Sequence, residues 1–342
     1  MVVLAHSYNL SYGSAQSGFM GRFPLGPFYL AILPMFIGLS GFLVTGSALR
    51  LRDTRTFIVF RALRIIPALM VEVTLSALIL GPLLTTVPLQ EYFADKHFYA
   101  YFGNIIGRIR FGLPGVFIGL PLDGIVNGNL WTLHPEFGCY ILIAVLMLTR
   151  VAYNTRILVI LWLAATFLAA AYNLATGALE PPIVSSLLVY YFVTGMVAFH
   201  LKDHITINTH LFIIAASLTY VLQLLPQTSL IVPVPMMYVV IWLGMQKFTR
   251  FELSRYGDFS YGIYLFSYPL QQTICYLFPT FRQWWIVFPL SAILSILVAA
   301  VSWHYIEKPS LQLKKLLAGR RREPQPAGQR LQIIFRKNKR AA

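Results

Sequence analysis

His6 and Glu136 are the first pair of side chains in this sequence able to move a proton. An imidazole and a carboxylate brought to one side of a reaction centre suit general-base work on a hydroxyl. Their setting makes them informative, because 57% of the residues are hydrophobic and only 11% charged. A titratable group at membrane depth is costly unless it is paired or used. A blander assignment stays open for both: an interfacial histidine, and a glutamate favoured at a helix start by the helix dipole.

A second group lies in Arg61-Ala62-Leu63-Arg64-Ile65-Ile66-Pro67. Arg61 and Arg64 sit one helical turn apart, already inside an apolar run, where two guanidinium groups can clamp the phosphates of a nucleotide-type donor. Arg50, Arg52 and Arg55 precede them and read as ordinary cytoplasmic charge. Farther along the same run, Glu72 requires an arginine partner or a proton, which makes it a structural or a catalytic carboxylate. The stretch Asn127-Gly128-Asn129-Leu130-Trp131-Thr132-Leu133-His134-Pro135-Glu136 combines a glycine turn, an interfacial tryptophan and a proline near a helix start. Its bland reading is a membrane-belt anchor. Trp131, and Asn129 within the connection that precedes it, are candidates for positioning a substrate.

The elements that must carry these groups follow from hydropathy. The mean hydropathy is +0.67, and a soluble domain carries about a quarter charged residues. A spanning helix needs about 20 apolar residues. Ten such windows are expected, at 1–12, 27–49, 58–84, 131–150, 155–174, 182–201, 209–225, 229–247, 258–278 and 284–306. The runs are continuously apolar rather than alternating, so the fold class is all-α, a polytopic transmembrane bundle, and not a barrel.

Positive charge orients the spans. Arg50, Arg52, Arg55, Arg61 and Arg64, then Arg150 and Arg156, then Lys202, then Lys247, Arg250 and Arg255 mark four cytoplasmic connections. The long connection at 85–130 mixes Lys96, Arg108 and Arg110 with Glu91, Asp95 and Asp123, and reads as extracytoplasmic. An even number of spans places both termini in the cytoplasm. His6 and Glu136 then fall near the outer boundary.

The expected organisation is an integral membrane domain over 1–309 and a basic cytoplasmic tail over 310–342. The tail carries Lys314, Lys315, Arg320, Arg321, Arg322, Arg336, Lys337, Lys339 and Arg340, and is expected to rest on anionic lipid. The net charge of +15 is thereby explained by topology, not by a nucleic-acid face. Met1 to Tyr12 is too short to cross a bilayer and lacks signal-peptide features, so the chain is expected to begin inside its first helix. Cys139 and Cys275 have no metal or disulfide spacing and are expected to be buried thiols. No metal site is expected, and the oligomeric state is not specified.

Taken in order, several motifs resemble the membrane acyltransferase-3 family, whose members O-acylate bacterial surface polysaccharides, Nod factors, antibiotics and similar acceptors. They are Val2-Val3-Leu4-Ala5-His6-Ser7, Pro34-Met35-Phe36-Ile37-Gly38-Leu39-Ser40-Gly41-Phe42-Leu43, the Arg61/Arg64 pair with Pro67, and Leu130-Trp131-Thr132-Leu133 leading to Glu136. Gly257-Asp258-Phe259-Ser260-Tyr261-Gly262-Ile263-Tyr264-Leu265 and Ile306-Glu307-Lys308-Pro309 complete the set.

The resemblance implies an acyl-CoA donor, with acetyl-CoA expected, and a carbohydrate hydroxyl as acceptor in a multi-pass protein of the bacterial inner membrane. It also implies His6 as catalytic centre and Arg61 and Arg64 as donor-binding residues. His6 would act as general base or carry the acyl group, and Glu136 would orient the imidazole or contact the sugar.

Two departures stand out. The family's first helix usually carries an arginine about three turns before the histidine, and this chain starts too late to contain it. Where many members have a histidine after the Tyr-Leu pair of the ninth span, this chain reads Phe266-Ser267-Tyr268-Pro269, then Gln271 and Gln272. Two rival classes remain at this stage: a multi-span transporter of a glycan or small solute, and an inactive membrane subunit with the same fold.

Overall fold

The computed structural model describes residues 2–13, 24–177, 185–246 and 257–317. The basic connection holding Lys247, Arg250 and Arg255, and the tail beyond 317, lie outside the described residues. In chain order the α-helices of six or more described residues are α1 (Val2–Tyr12), α2 (Gly26–Leu51), α3 (Thr54–Leu75), α4 (Leu89–Ala94), α5 (Lys96–Tyr101), α6 (Leu133–Leu148), α7 (Thr155–Thr176), α8 (Ser185–His200), α9 (Thr209–Gln223), α10 (Pro233–Met245), α11 (Ser260–Leu277), α12 (Trp284–Ser302) and α13 (Lys308–Leu317). No strand occurs among the described residues, only a single bridge between Thr85 and Val116.

Among the described residues, five helical runs are long and apolar enough to cross a membrane: Gly26–Leu51, Thr54–Leu84, Gly128–Leu148, Thr155–Thr176 and Trp284–Lys314. The other five expected spans fall on shorter helices of 11, 16, 15 and 13 residues, or on the 18-residue α11, which Ser, Tyr and Gln side chains make more polar. Protein covers only 6% of the apolar window in α7. Large side chains such as Phe167 and Leu174 are left open. An apolar surface of that extent calls for a lipid solvent, so this is a multi-pass membrane protein.

Helix starts are set by local chemistry. Asn154 and Asn208 cap α7 and α9 by accepting from the backbone N–H of Ile157 and His210, satisfying otherwise orphaned donors. Asp53 does the same for α3, accepting from Thr56 N at 2.9 Å. The hydroxyl and the amide of Thr56 hold the Asp53 carboxyl below its usual range.

Two runs contain a wide π turn, Ser76–Leu80 and Trp303–Glu307, each followed by a proline, Pro82 or Pro309. Proline removes a backbone donor and crowds the carbonyl four residues back. A widened turn accommodates it within a continuing helix.

The chain divides into two compact units. The second, over 30–58 and 135–255, packs α2 against α8 and α10. Phe42, Phe199, Met237 and Ile241 form one core cluster, and Ala31, Leu187, Tyr191, Val232 and Met236 another. The helices approach closely because glycines face backbone: a Cβ on Gly41 would lie 2.1 Å from Phe192 O, and one on Gly195 would lie 2.1 Å from Gly38 O. Small residues allow this contact between membrane helices.

Gly195→Val is therefore expected to destabilise this unit by about 1–3 kcal/mol or more. The change should appear as a lower melting temperature of the detergent-purified protein. An unchanged melting temperature would mean that the two helices do not need this approach.

The first unit, over 1–29, 59–134 and 256–320, packs α1 against α11 and α12, and α11 against α12. Its 85–130 connection is not a plain loop. It contains α4 and α5, buries Tyr92, Phe98 and Tyr101, and ties Tyr92 Oη to Ala77 O at 2.7 Å. Thr86 N donates to Gly115 O at 2.9 Å, and Asn104 exchanges two bonds with the backbone of Arg110. Cys139 and Cys275 are buried free thiols.

Candidate active site

The first unit gathers polar side chains along one helix. Tyr264, Ser267, Tyr268 and Gln271 on α11 follow the i, i+3, i+4, i+7 spacing that places residues on one helical face. All but Tyr264 are buried. Each contacts a segment that the sequence marks for chemistry.

Gln271 fixes the first helix. Its Nε2 donates to Val3 O at 2.7 Å and to Ser7 Oγ at 2.6 Å, while Ser7 Oγ also donates to Val3 O at 2.9 Å. These contacts flank His6 in sequence and set the register of its turn against α11. His6 itself is half-buried, with its ring edge-on to Tyr268 at 5.3 Å and 69°. Neither ring nitrogen has a hydrogen-bond partner among the described residues. The imidazole is held by packing against Tyr268.

Gln271→Leu keeps the side-chain volume but removes the two donated bonds. A misplacement of about 1 Å can cost about 100-fold in rate, so turnover should fall by roughly 10- to 100-fold at equal membrane levels. Turnover equal to wild type would show that this register does not position His6.

The segment 127–132 is a short 3₁₀ turn leading into α6. Asn127 Nδ2 donates to Glu72 Oε1 at 2.8 Å and to Leu265 O at 2.9 Å, and its Oδ1 accepts from Asn129 N at 3.1 Å. Asn129 Nδ2 donates to Tyr264 O at 2.6 Å, with a longer contact to Ser267 Oγ at 3.4 Å. Tyr264 Oη closes the turn through Asn129 O and Thr132 Oγ1. Gly128 is required here: a Cβ would lie 2.6 Å from the Tyr268 ring. The turn is thus pressed against the same tyrosine that meets His6.

Gln272, one position beyond Gln271, ties the preceding connection to α11 by donating to Leu122 O at 3.0 Å and Ile125 O at 2.7 Å. Glu72 is buried, and its recorded partners are the neutral donors Asn127 and Ser76, the latter at 3.0 Å, rather than an arginine. Asn129 is likewise buried, with its amide donated to protein, whereas Trp131 is only half-buried. Glu136 stands in the second unit, half-buried, and accepts from Tyr140 Oη at 2.6 Å.

Of the arginine pair, Arg61 is half-buried on α3. Arg64 is engaged by two carboxylates: Nη2 meets Asp258 Oδ2 at 2.7 Å, and Nη1 meets Glu307 Oε2 at 3.2 Å. Its guanidinium also lies 5.7 Å from the centre of the Tyr261 ring, within cation–π range. Sequence reasoning quoted Asp258 and Glu307 as landmarks but gave them no role, and gave none to Asn127, Tyr268 or Gln271. The signal available for the glutamines was their polarity within an apolar run.

Comparison with known proteins defines the class. The acyltransferase-3 family pattern, described as an acyltransferase domain, matches residues 1–304, and the chain belongs to that family. It is an enzyme of the acyltransferase class. It is 27% identical over 310 residues to nodulation protein 10 of Rhizobium leguminosarum bv. viciae, covering 84% of this chain and 83% of that protein. It is 30% identical over 154 residues to an O-acetyl transferase of Shigella phage Sf6, covering 42% of this chain and 41% of that one. No solved structure matches the chain significantly.

Proposed function

We propose that this protein transfers an acyl group, acetyl in the first instance, from acyl-CoA to a hydroxyl of an extracytoplasmic carbohydrate such as a surface polysaccharide or lipid-linked glycan. The observation that carries this reading is His6: an imidazole with no hydrogen-bond partner among the described residues, set in register by Gln271 and packed on Tyr268, in a member of an acyltransferase family. The similarity to an O-acetyl transferase supports oxygen as the accepting atom and acetyl as the group.

In this reading a ring nitrogen of His6 takes the proton of the acceptor hydroxyl as its oxygen attacks the thioester carbonyl carbon. The tetrahedral intermediate collapses, the C–S bond breaks, and the departing thiolate recovers the proton from the imidazolium. The products are the ester and free coenzyme A. Arg61 and Arg64 serve the donor phosphates, Trp131 offers a partly open aromatic face to the sugar, and Asn129 holds the turn that carries Trp131. Glu136 is assigned to the acceptor side on the charge-derived topology alone.

The same reading places the protein in the bacterial inner membrane with ten spans and both termini in the cytoplasm. Residues 1–309 form the enzymatic domain, and 310–342 form a basic tail on anionic lipid.

The test is release of free thiol from acetyl-CoA by the purified protein in liposomes. Release that depends on added acceptor glycan, with the ester found on that glycan, is the expected result. Glycan movement across the bilayer without thiol release would replace the enzyme by a transporter.

A further inference from the structure

Within the proposed donor clamp, Arg64 has two carboxylate partners that differ sharply in their access to solvent. The Glu307 side chain is 1% exposed and that of Asp258 is 52% exposed. Glu307 is brought inward by the π turn Trp303–Glu307 and receives a hydrogen bond from Ser302 Oγ at 3.1 Å. Its other neighbour is Gly262, where a Cβ would approach Glu307 Oε1 to 3.3 Å. It therefore sits in a fitted, protein-lined position. Asp258 sits at the open N-terminal end of α11, where Ser260 Oγ donates to its Oδ1 at 2.5 Å.

A buried, hydrogen-bonded ion pair is strongly penalised when one partner is removed, whereas an exposed pair contributes little and exchanges readily. A phosphate monoester or diphosphate carries more charge than a carboxylate, and offers several acceptor oxygens to a guanidinium fork.

Resting on the donor role proposed for Arg64, we propose that Glu307 is the positioning residue that aims Arg64, and that Asp258 is a place-holder which the donor's phosphate displaces. Donor binding is then an anion exchange at Nη2 while Nη1 stays anchored. The two carboxylates, although both paired with the same guanidinium, must act on donor affinity in opposite directions. Losing Asp258 removes a competitor. Losing Glu307 removes the aim, even though it too removes a negative charge. A purely structural role for both would weaken binding in both variants, and general electrostatics would strengthen it in both.

The experiment is equilibrium binding of coenzyme A to the full-length protein in detergent. It compares wild type, Asp258→Asn, Glu307→Gln, Ser302→Ala and Asp53→Asn, each checked for a single symmetric gel-filtration peak. Asp258→Asn is expected to tighten binding by about two- to fivefold, the scale of an exposed pair. Glu307→Gln is expected to weaken it by about tenfold or more, as a buried pair broken on one side implies. Ser302→Ala changes no charge and should weaken binding in the same direction by less, which keeps the positioning claim testable should Glu307→Gln fail to fold. Asp53→Asn removes one charge while keeping a capping side chain, and is expected to leave binding unchanged.

Unchanged or weaker binding in Asp258→Asn would overturn the place-holder role, and tighter or unchanged binding in Ser302→Ala or Glu307→Gln would overturn the positioning role. Tightening in Asp53→Asn equal to that in Asp258→Asn would reduce the effect to net charge and overturn the proposal. A wild type that binds no coenzyme A would overturn the donor reading itself. Binding by wild type with the wrong signs in the variants would overturn only this inference.

Discussion

His6→Ala is expected to lower the rate of acyl transfer by on the order of 10²–10⁴-fold, the usual contribution of a positioned general base. The protein should remain at wild-type levels in the membrane. The structural reason for separating the two effects is that the His6 side chain makes no hydrogen bond to the described residues that would hold its helix. That helix is held by Val3 and Ser7 through Gln271, and by packing on α11 and α12. Alanine also has the highest intrinsic helix propensity. The measurement is single-turnover formation of the acylated acceptor by purified protein. Wild-type turnover would remove His6 from the chemistry, and loss of both turnover and protein would assign it to folding.

Asn127→Leu is expected to be the most damaging change to the fold of the first unit. Leucine cannot donate to Glu72 Oε1 or Leu265 O, nor accept from Asn129 N. Each of these groups is buried; Glu72 Oε1 keeps only Ser76 Oγ, and each buried polar group left without a partner costs about 1–3 kcal/mol. The loss should reach about 3 kcal/mol or more, read as thermal unfolding in detergent or failure to accumulate. The turn that carries Asn129 and Trp131 would lose its register, so residual protein should also be poorly active. Replacing Glu72 with Gln in the same background should recover part of the stability if the carboxylate, left with Ser76 as its donor, is the main burden. No recovery would place the burden on Leu265 O and the turn instead.

The all-helical membrane architecture is legible in the sequence because continuous apolar runs and scarce charge leave no other way to satisfy backbone groups in lipid. The glycines of Gly38-Leu39-Ser40-Gly41 are legible as a landmark, and the structure supplies the reason: backbone of α8 lies where a Gly41 side chain would be, and the Met237 sulfur of α10 where a Gly38 side chain would be. Ten windows are legible, yet among the described residues five meet the length and composition of a spanning helix: α1, α8, α9 and α10 run only 11, 16, 15 and 13 residues, and α11 is more polar.

Pairing is less legible. Glu72 demands a partner, and hydropathy cannot reveal that the partner is Asn127, 55 positions away, rather than an arginine. Arg64 reads as an open clamp because Asp258 and Glu307 are 194 and 243 positions distant. The polar face of α11 is hidden for a related reason. Gln271 and Gln272 look like the absence of a histidine, although they anchor α1 and the 85–130 connection.

The most direct measurement of the central claim is mass spectrometry of surface glycans from cells lacking the gene, complemented with wild type or with His6→Ala at matched membrane levels. Loss of an acyl mass, acetyl in the first instance, that wild type restores and His6→Ala does not is the predicted result. Glycans that keep the same acylation in the deletion strain, across all major species, would contradict the proposed reaction.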